Sequence, residues 1–282
     1  MNTTDNATEH RFRRIVMAFD PTSEDPGSVE SVAALAARLK ADLLGLFVED
    51  EGLERLAGHP GVSTVAAPPF GARPIDSDHL RRVLRMQVAR SRREVEAASA
   101  RYRLRYAFSV RRGSLAAEIT SSVTDTDLLI LGGTARPASA LSARTDAHHF
   151  LAAAARTAPG SVLLLRPGTL HGPVLAVHDG SAATEAAMTK ALDFADRDGG
   201  ILDVMICCRR LDEAEDRRRQ LHSQARATGV ELRFGVLPKA TGEDVVAAVR
   251  RRGIGVLVMA ADSPLIAGDG LARATCSVLL VR

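Results

Sequence analysis

The sequence predicts an α/β protein of two tandem doubly wound domains, each built on a mostly parallel sheet of five strands. Three observations carry this. The chain ends as its middle does, with Gly160-Ser-Val-Leu-Leu-Leu-Arg166 returning as Cys276-Ser-Val-Leu-Leu-Val-Arg282. The other apolar runs also repeat in order: Ile15–Asp20 with Val174–Asp179, Leu43–Val48 with Ile201–Ile206, Tyr106–Val110 with Leu232–Val236, and Leu128–Gly132 with Val256–Ala260. Segments of helical spacing separate these runs, so strands alternate with helices. The reading divides the chain into 11–168 and a shorter 172–282, joined across Pro167–Pro173.

Ile15–Phe19 is a short apolar run between arginines and Asp20-Pro21, a buried strand ending in a turn. Ser28 is a candidate cap for the next helix, in which Val29, Val32, Ala33, Ala36 and Leu39 share one face. Leu43–Val48 is the second strand, and the resulting βαβ unit is expected to be parallel and right-handed. Residues Glu49–Asp78 hold Gly52, Gly58, Pro60, Gly61, Pro68, Pro69, Gly71 and Pro74, which predicts a long irregular insertion that the second half lacks. From His79 to Ala100 the spacing predicts an amphipathic helix with Leu80, Leu84, Gln87, Ser91, Val95 and Ala98 on one face and Arg81, Arg82, Arg85, Arg92 and Arg93 largely elsewhere. Tyr106–Val110, a helix over Leu115–Val123, Leu128–Leu131, a helix near Asp146–Arg156 and Ser161–Leu165 complete the first half.

Composition bounds the function. An excess of three Lys and Arg over Asp and Glu, no Trp and only Tyr102 and Tyr106 as phenols argue against nucleic acid as a partner. No apolar run approaches the ~18–20 residues that span a bilayer, and the polar first fourteen residues do not form a signal peptide, so a cytoplasmic protein without a membrane partner is expected. Three cysteines without a Cys-x-x-Cys pair fit a reducing compartment and predict neither a disulfide framework nor a metal site. The adjacent His148 and His149 diverge on a helix and do not suit one metal. Cys207-Cys208 ends a strand, where one side chain enters the core and its neighbour points the other way. No nucleophile–base arrangement is visible: Ser114 and Ser161 lack the Gly-x-Ser-x-Gly elbow, and Asp125 and Asp127 stand at a strand entrance. The chain is expected to be non-enzymatic, with no catalytic residue.

These strand endings, together with Asp179-Gly180-Ser181, Asp125-Thr-Asp-Leu-Leu-Ile-Leu-Gly132 and the closing Ala158–Leu165, resemble a tandem universal stress protein over nearly the whole chain. The resemblance implies Rossmann-like domains of the adenine nucleotide alpha hydrolase type. In nucleotide-binding members an Asp after the first strand meets the adenosine, and a Gly-x-x-Gly stretch followed by Gly-Ser or Gly-Thr wraps the phosphates, whose oxygens need close backbone N–H groups. Carried onto this chain, the candidate nucleotide contacts are Asp20, Val48, Gly132, Gly133 and Thr134. The second glycine of the stretch is Ala135, and the Gly-Ser position falls on His148-His149. In the second half Ala260, Ala261, Asp262 and Ser263 stand where the glycines would start, and Asp262 is expected to repel phosphate. Asp20 and Asp179 equally suit capping of the following turn.

The resulting expectation is a stress-response or regulatory protein with degenerate nucleotide motifs and no cofactor. Its matched last strands, Ser161–Leu165 and Ser277–Val281, pair inside one chain as single-domain relatives pair between chains. A wider homo-oligomer and a protein partner are compatible with it. The alternative is an ATP or adenine-nucleotide binder, or a weak ATPase, using a rebuilt first-half site in which Arg136 or Arg144 replaces the lost backbone donors.

Overall fold

The computed structural model describes residues 12–19, 26–50, 63–64, 73–74, 77–132, 157–195, 200–208, 210–225, 228–266 and 273–282. The first half contains β1 (Arg14–Phe19), α1 (Pro26–Leu39), β2 (Asp42–Asp50), the short β3 (Ser63–Thr64) and β4 (Arg73–Pro74), α2 (Ser77–Tyr102), β5 (Tyr106–Gly113), α3 (Leu115–Ser122), β6 (Asp127–Gly132) and β7 (Ser161–Leu165). The second contains β8 (Val174–His178), α4 (Ala182–Ala195), β9 (Ile201–Cys208), α5 (Leu211–Ala225), β10 (Glu231–Pro238), α6 (Gly242–Arg252), β11 (Val256–Ala260), a 3₁₀ turn (Pro264–Ile266) and β12 (Ser277–Val281).

All but β3 and β4 join one ten-stranded sheet, in the order β10-β9-β8-β11-β12-β7-β6-β1-β2-β5. Outward from the centre the halves match strand for strand. Within each half every pairing is parallel, and at the centre β7 meets β12 antiparallel, with Leu164 opposite Val278, Leu163 opposite Leu279 and Val162 opposite Leu280. The two expected sheets are therefore continuous. Each half reverses its strand order beside its first strand, between β1 and β6 and between β8 and β11.

Strands buried on both faces read as unbroken apolar runs, and β7, β8, β11 and β12 are buried along their whole lengths. Their alternate side chains feed two cores. Leu163, Leu165, Leu279 and Val281 enter one, packed by α1, α2, α4 and α5; Val162, Leu164, Val278 and Leu280 enter the other, packed by α3 and α6. Each core draws on both halves. On the first face Phe12 meets Phe194 of α4 edge-on with ring centroids 6.4 Å apart, and the Lys190 ammonium lies 4.0 Å from the Phe12 ring centroid.

The amphipathic reading of α2 holds, with Leu84, Val95 and Ala98 buried and all five named arginines exposed. Helix boundaries moved. The first helix starts at Pro26 rather than after a Ser28 cap, since proline suits an opening turn, and α2 runs from Ser77 to Tyr102, beyond His79–Ala100 at both ends. The segment read as irregular after Glu49 carries β2 on to Asp50 and holds an antiparallel β3–β4 ribbon, in which Pro74 sits opposite Ser63. The helix expected near Asp146–Arg156 lies outside the described residues.

Two polar features pin the strand entrances. Buried Asp127 takes Arg14 in a two-point ion pair, Nε to Oδ1 at 3.1 Å and Nη2 to Oδ2 at 2.5 Å, and accepts the Thr124 N–H at 2.7 Å. Its role is to clamp β6 to β1. Residues 167–173 are stitched to β12 and β11: the Ser277 hydroxyl accepts the Arg166 N–H at 2.9 Å and lies 2.6 Å from the Thr169 hydroxyl, and Pro173 O accepts the Gly255 N–H at 2.9 Å. Gly172 and Gly255 let these backbones touch, because a Cβ on Gly255 would strike the Thr169 carbonyl and lie 2.6 Å from the Gly172 Cα.

Gly255→Ala is expected to cost more than about 2 kcal/mol in urea unfolding followed by circular dichroism, because backbone must move. At Gly253, which has φ of 62° and open space around a new Cβ, the same change is expected to cost only about 1 kcal/mol.

Candidate functional site

In an open α/β sheet, ligands bind at the carboxyl ends of strands where the strand order reverses. In the second half that place holds a cavity of about 550 Å³, lined by residues that include Asp179, Cys207, Arg217, Lys239, Thr241 and Leu265. Asp179 follows β8, and its carboxylate is already engaged on three sides. Oδ1 accepts the Ser181 N–H at 2.9 Å and the Thr184 hydroxyl at 2.5 Å, and Oδ2 accepts the Ser263 hydroxyl at 2.7 Å. The first two bonds form a turn running into α4, so capping is the role of this aspartate in the structure. Burial opposes its charge, but hydrogen bonds from Thr184, Ser263 and Ser181 outweigh that and hold the carboxyl at about 2, below its ordinary 3.8.

The loop after β11 supplies Ser263 rather than a phosphate cradle. Its N–H donates to Ala260 O at 3.1 Å and its carbonyl accepts the Ile266 N–H at 3.1 Å, which closes the 3₁₀ turn. Asp262, expected to repel phosphate from this site, is exposed and is not among the described residues lining the cavity. Two other donor groups at the cavity are also committed. Arg217 Nη1 donates to the Cys207 carbonyl at 3.0 Å, and a Cβ at Gly180, whose φ is 84°, would collide with its guanidinium. The N-terminus of α6, at the cavity wall, carries a reciprocal cap: Thr241 Oγ1 accepts the Asp244 N–H at 3.3 Å and Asp244 Oδ2 accepts the Thr241 N–H at 2.9 Å. That helix end is already served by its own carboxylate.

Cys207 and Cys208 point into opposite cores, as alternation along a strand requires, and both are buried. Burial first, and then the neighbouring Asp179, pushes the Cys207 thiol up to about 12; burial pushes Cys276 up to about 11. Beside Asp179, the buried His178 has Nε2 3.7 Å from Glu185 and no partner at Nδ1, and burial lowers its pKa.

Of the first-half candidates, Val48 and Gly132 are described, and Asp20, Gly133 and Thr134 lie outside the described residues, as do Arg136, Arg144 and His148-His149. The register brings the two described positions to one place: Phe19 at the end of β1 pairs with Phe47, and Ala18 pairs with Leu131, so Val48 and Gly132 flank the exit of β1. The side chain of Val48 is buried in the core with Val16, Leu46 and Ile119. A Cβ built on Gly132 would meet nothing within 4 Å.

Searches by sequence find no matching family model and no matching curated protein. Solved structures do match. A universal stress protein from Archaeoglobus fulgidus DSM 4304 superposes with a TM-score of 0.69 at 14% identity, over 97% of this chain and 97% of that one. A functionally unknown protein from Pseudomonas aeruginosa PAO1, and a protein from strain UCBPP-PA14 assigned to the universal stress proteins, each give a TM-score of 0.54 at 15% identity, over 97% of this chain and 94% of theirs. The chain has the universal stress protein fold. Within it, sequence reasoning placed Asp179 at the strand end but missed Thr184, Ser263 and Arg217, which hold or crowd its turn. Asp179-Gly180-Ser181 with a threonine three residues on was the available signal for that turn. Among the described residues no group of three or more His, Cys, Asp or Glu side chains is placed to hold a metal, and no helix is long and apolar enough to cross a membrane.

Because its folded pKa is depressed, Asp179 stabilises the fold above the unfolded value near 3.8, and this is lost as pH falls from about 4 to 2. With allowance for solvent screening of a half-buried group, Asp179→Asn is expected to cost about 1–2 kcal/mol at pH 7 and almost nothing below pH 2, measured by urea unfolding across pH. The three buried thiols are expected to resist iodoacetamide at pH 8 in the native protein and to react fully in denaturant, which mass spectrometry resolves.

Proposed function

We propose that this chain is a non-enzymatic, cytoplasmic stress-response or regulatory protein of the universal stress type, its halves being tandem copies that form a pseudo-dimer within one polypeptide. The observation that carries this reading is the commitment of Asp179. The carboxylate in the position of the adenosine contact is consumed by Ser181, Thr184 and Ser263, and the same Ser263 occupies the loop where phosphates would be wrapped. With Arg217 held by a backbone carbonyl and α6 capped by Asp244, the second-half cavity offers an anion few uncommitted donors. The antiparallel contact of β7 with β12 supports the pseudo-dimer, and the fold likeness to a universal stress protein along the whole chain supports the family reading. On this reading the protein acts by presenting surfaces to a protein partner.

One observation favours a second reading, in which the first half binds adenine nucleotide. Gly132 stands across the exit of β1 from Val48, and no described atom requires a glycine there, whereas a phosphate would need the space. The experiment that separates the two is denaturation of the purified protein with mass spectrometry of released small molecules, paired with thermal melts in ATP. The leading reading expects no nucleotide and no shift. The second expects near-stoichiometric AMP, ADP or ATP, or a gain of about 2.7 kcal/mol at 100 times the dissociation constant, abolished by Asp20→Ala and Gly132→Val but not by Asp179→Ala.

A further inference from the structure

We propose that His178 is a proton-sensitive latch of the second half, through which acid opens α5 away from α4. His178 is the last residue of β8 and is buried. By alternation with Val174 and Ala176 it faces the core packed by α4 and α5. Its Nε2 lies 3.7 Å from Glu185 on the first turn of α4, and its Nδ1 is buried with no hydrogen-bond partner among the described residues. Glu185 also ties the two helices together: Oε1 accepts Gln220 Nε2 at 3.1 Å and Oε2 accepts Gln224 Nε2 at 2.9 Å, both from α5. One carboxylate therefore serves the strand end and both helices.

The repeat indicates that the fold does not require a histidine here. Phe19 holds the same place at the end of β1, pairing with Phe47 of β2 as His178 pairs with Ile206 of β9. It packs on the same core, its ring centroid 5.9 Å from that of Phe108. The second half thus puts a titratable ring where the first puts an apolar one. Neutral, the ring has one N–H, which can point at Glu185; charged, it has two, and no described group pairs with Nδ1. An imidazolium with an unpaired buried N–H is disfavoured. The charged groups bearing on the ring are Glu185 from α4, Arg217 from α5, itself 4.0 Å from Glu213, and Asp179 at its own strand end. To the same core β9 and β11 present Ile206, Cys208 and Ala260. Burial and Arg217 oppose the charged ring and outweigh the two carboxylates, which holds its pKa below the ordinary 6.5. An opening that lets water reach the ring returns it to that ordinary value, so the open form binds a proton more tightly than the closed one. The stability this gives the closed form is complete above pH 6.5 and is lost as pH falls toward the depressed value, by up to about tenfold in the equilibrium per pH unit. The element that opens is α5, because its hold on α4 at Gln220 and Gln224 runs through the carboxylate that a charged ring draws away. Asp179, whose carboxyl titrates at about 2, takes no part in this range.

The experiment is hydrogen exchange with mass spectrometry on the intact chain between about pH 8 and 5.5, corrected for intrinsic exchange, with the histidine ring signals followed by NMR over the same range. Protection of α5 peptides is expected to fall by up to about tenfold per pH unit below pH 6.5, while α1 and α2 keep theirs. His178→Phe, the substitution toward the first half, is expected to leave α5 protected throughout, and a circular dichroism melt establishes that it is folded. Glu185→Gln removes a charge that favours the protonated ring, so the His178 signal is expected to titrate at lower pH and the loss of protection to move with it. A purely structural role for Glu185 would not shift that titration. Should His178→Phe not fold, the wild type and Glu185→Gln decide the matter. Equal protection of α5 at both ends of the range, acid opening that persists in His178→Phe, parallel opening of the first-half helices, or a His178 signal titrating at or above 6.5 would overturn the proposal.

Discussion

The architecture depends on the antiparallel contact between β7 and β12. Each half has an all-parallel sheet, and such a sheet needs cover on both faces and at its edges. The helices supply the faces. At the centre the edge is closed by the other half, so Leu163 and Leu279, and their neighbours of opposite facing, become interior residues of shared cores. Antiparallel pairing also sets the direction of everything else, because the carboxyl ends of the strands in one half point opposite to those in the other. The second-half cavity and the first-half cleft at the ends of β2 and β5 therefore open at opposite ends of one sheet.

The same fold carries different chemistry at those two ends. In the second half the polar groups satisfy each other, with Asp179, Ser263, Arg217 and Asp244 all engaged with protein. In the first half the described residues lining the cleft at the ends of β2 and β5 are Arg81, Arg82, Arg85 and Arg112 with Glu49, Asp78 and Leu84. A repeat that kept its strands and changed its strand-end residues is what hydrophobic constraint predicts: sheet residues answer to two cores, and residues beyond the strand ends answer mainly to solvent and ligand.

Much of the fold was legible because buried parallel strands write themselves as unbroken apolar runs, and because the runs recur in order. The amphipathic face of α2 was legible from Leu84, Val95 and Ala98 at helical spacing. Boundaries were less so. The first helix was expected after a Ser28 cap, whereas it opens at Pro26, whose fixed φ suits a first turn, and Pro74, counted among the breakers, proved compatible with a short ribbon. The partners of Asp179 were not legible as a set, since Ser263 reaches it from a residue 84 positions away, brought close only by the pairing of β8 with β11. Asp127 likewise looked like half of an acidic pair at a strand entrance, and only the sheet order brings Arg14 to it.

The stitching of residues 167–173 against β12 and Gly255 has a further consequence. Subunits joined only by their closing strands come apart on dilution and re-form with whichever copy they meet, so their composition follows concentration and stock. Here the connection is short and fastened at both ends, and the effective concentration of one half for the other does not fall when the protein is diluted. Each molecule therefore carries one cleft of each kind in fixed proportion. The two halves are free to diverge without any exchange that would average them out.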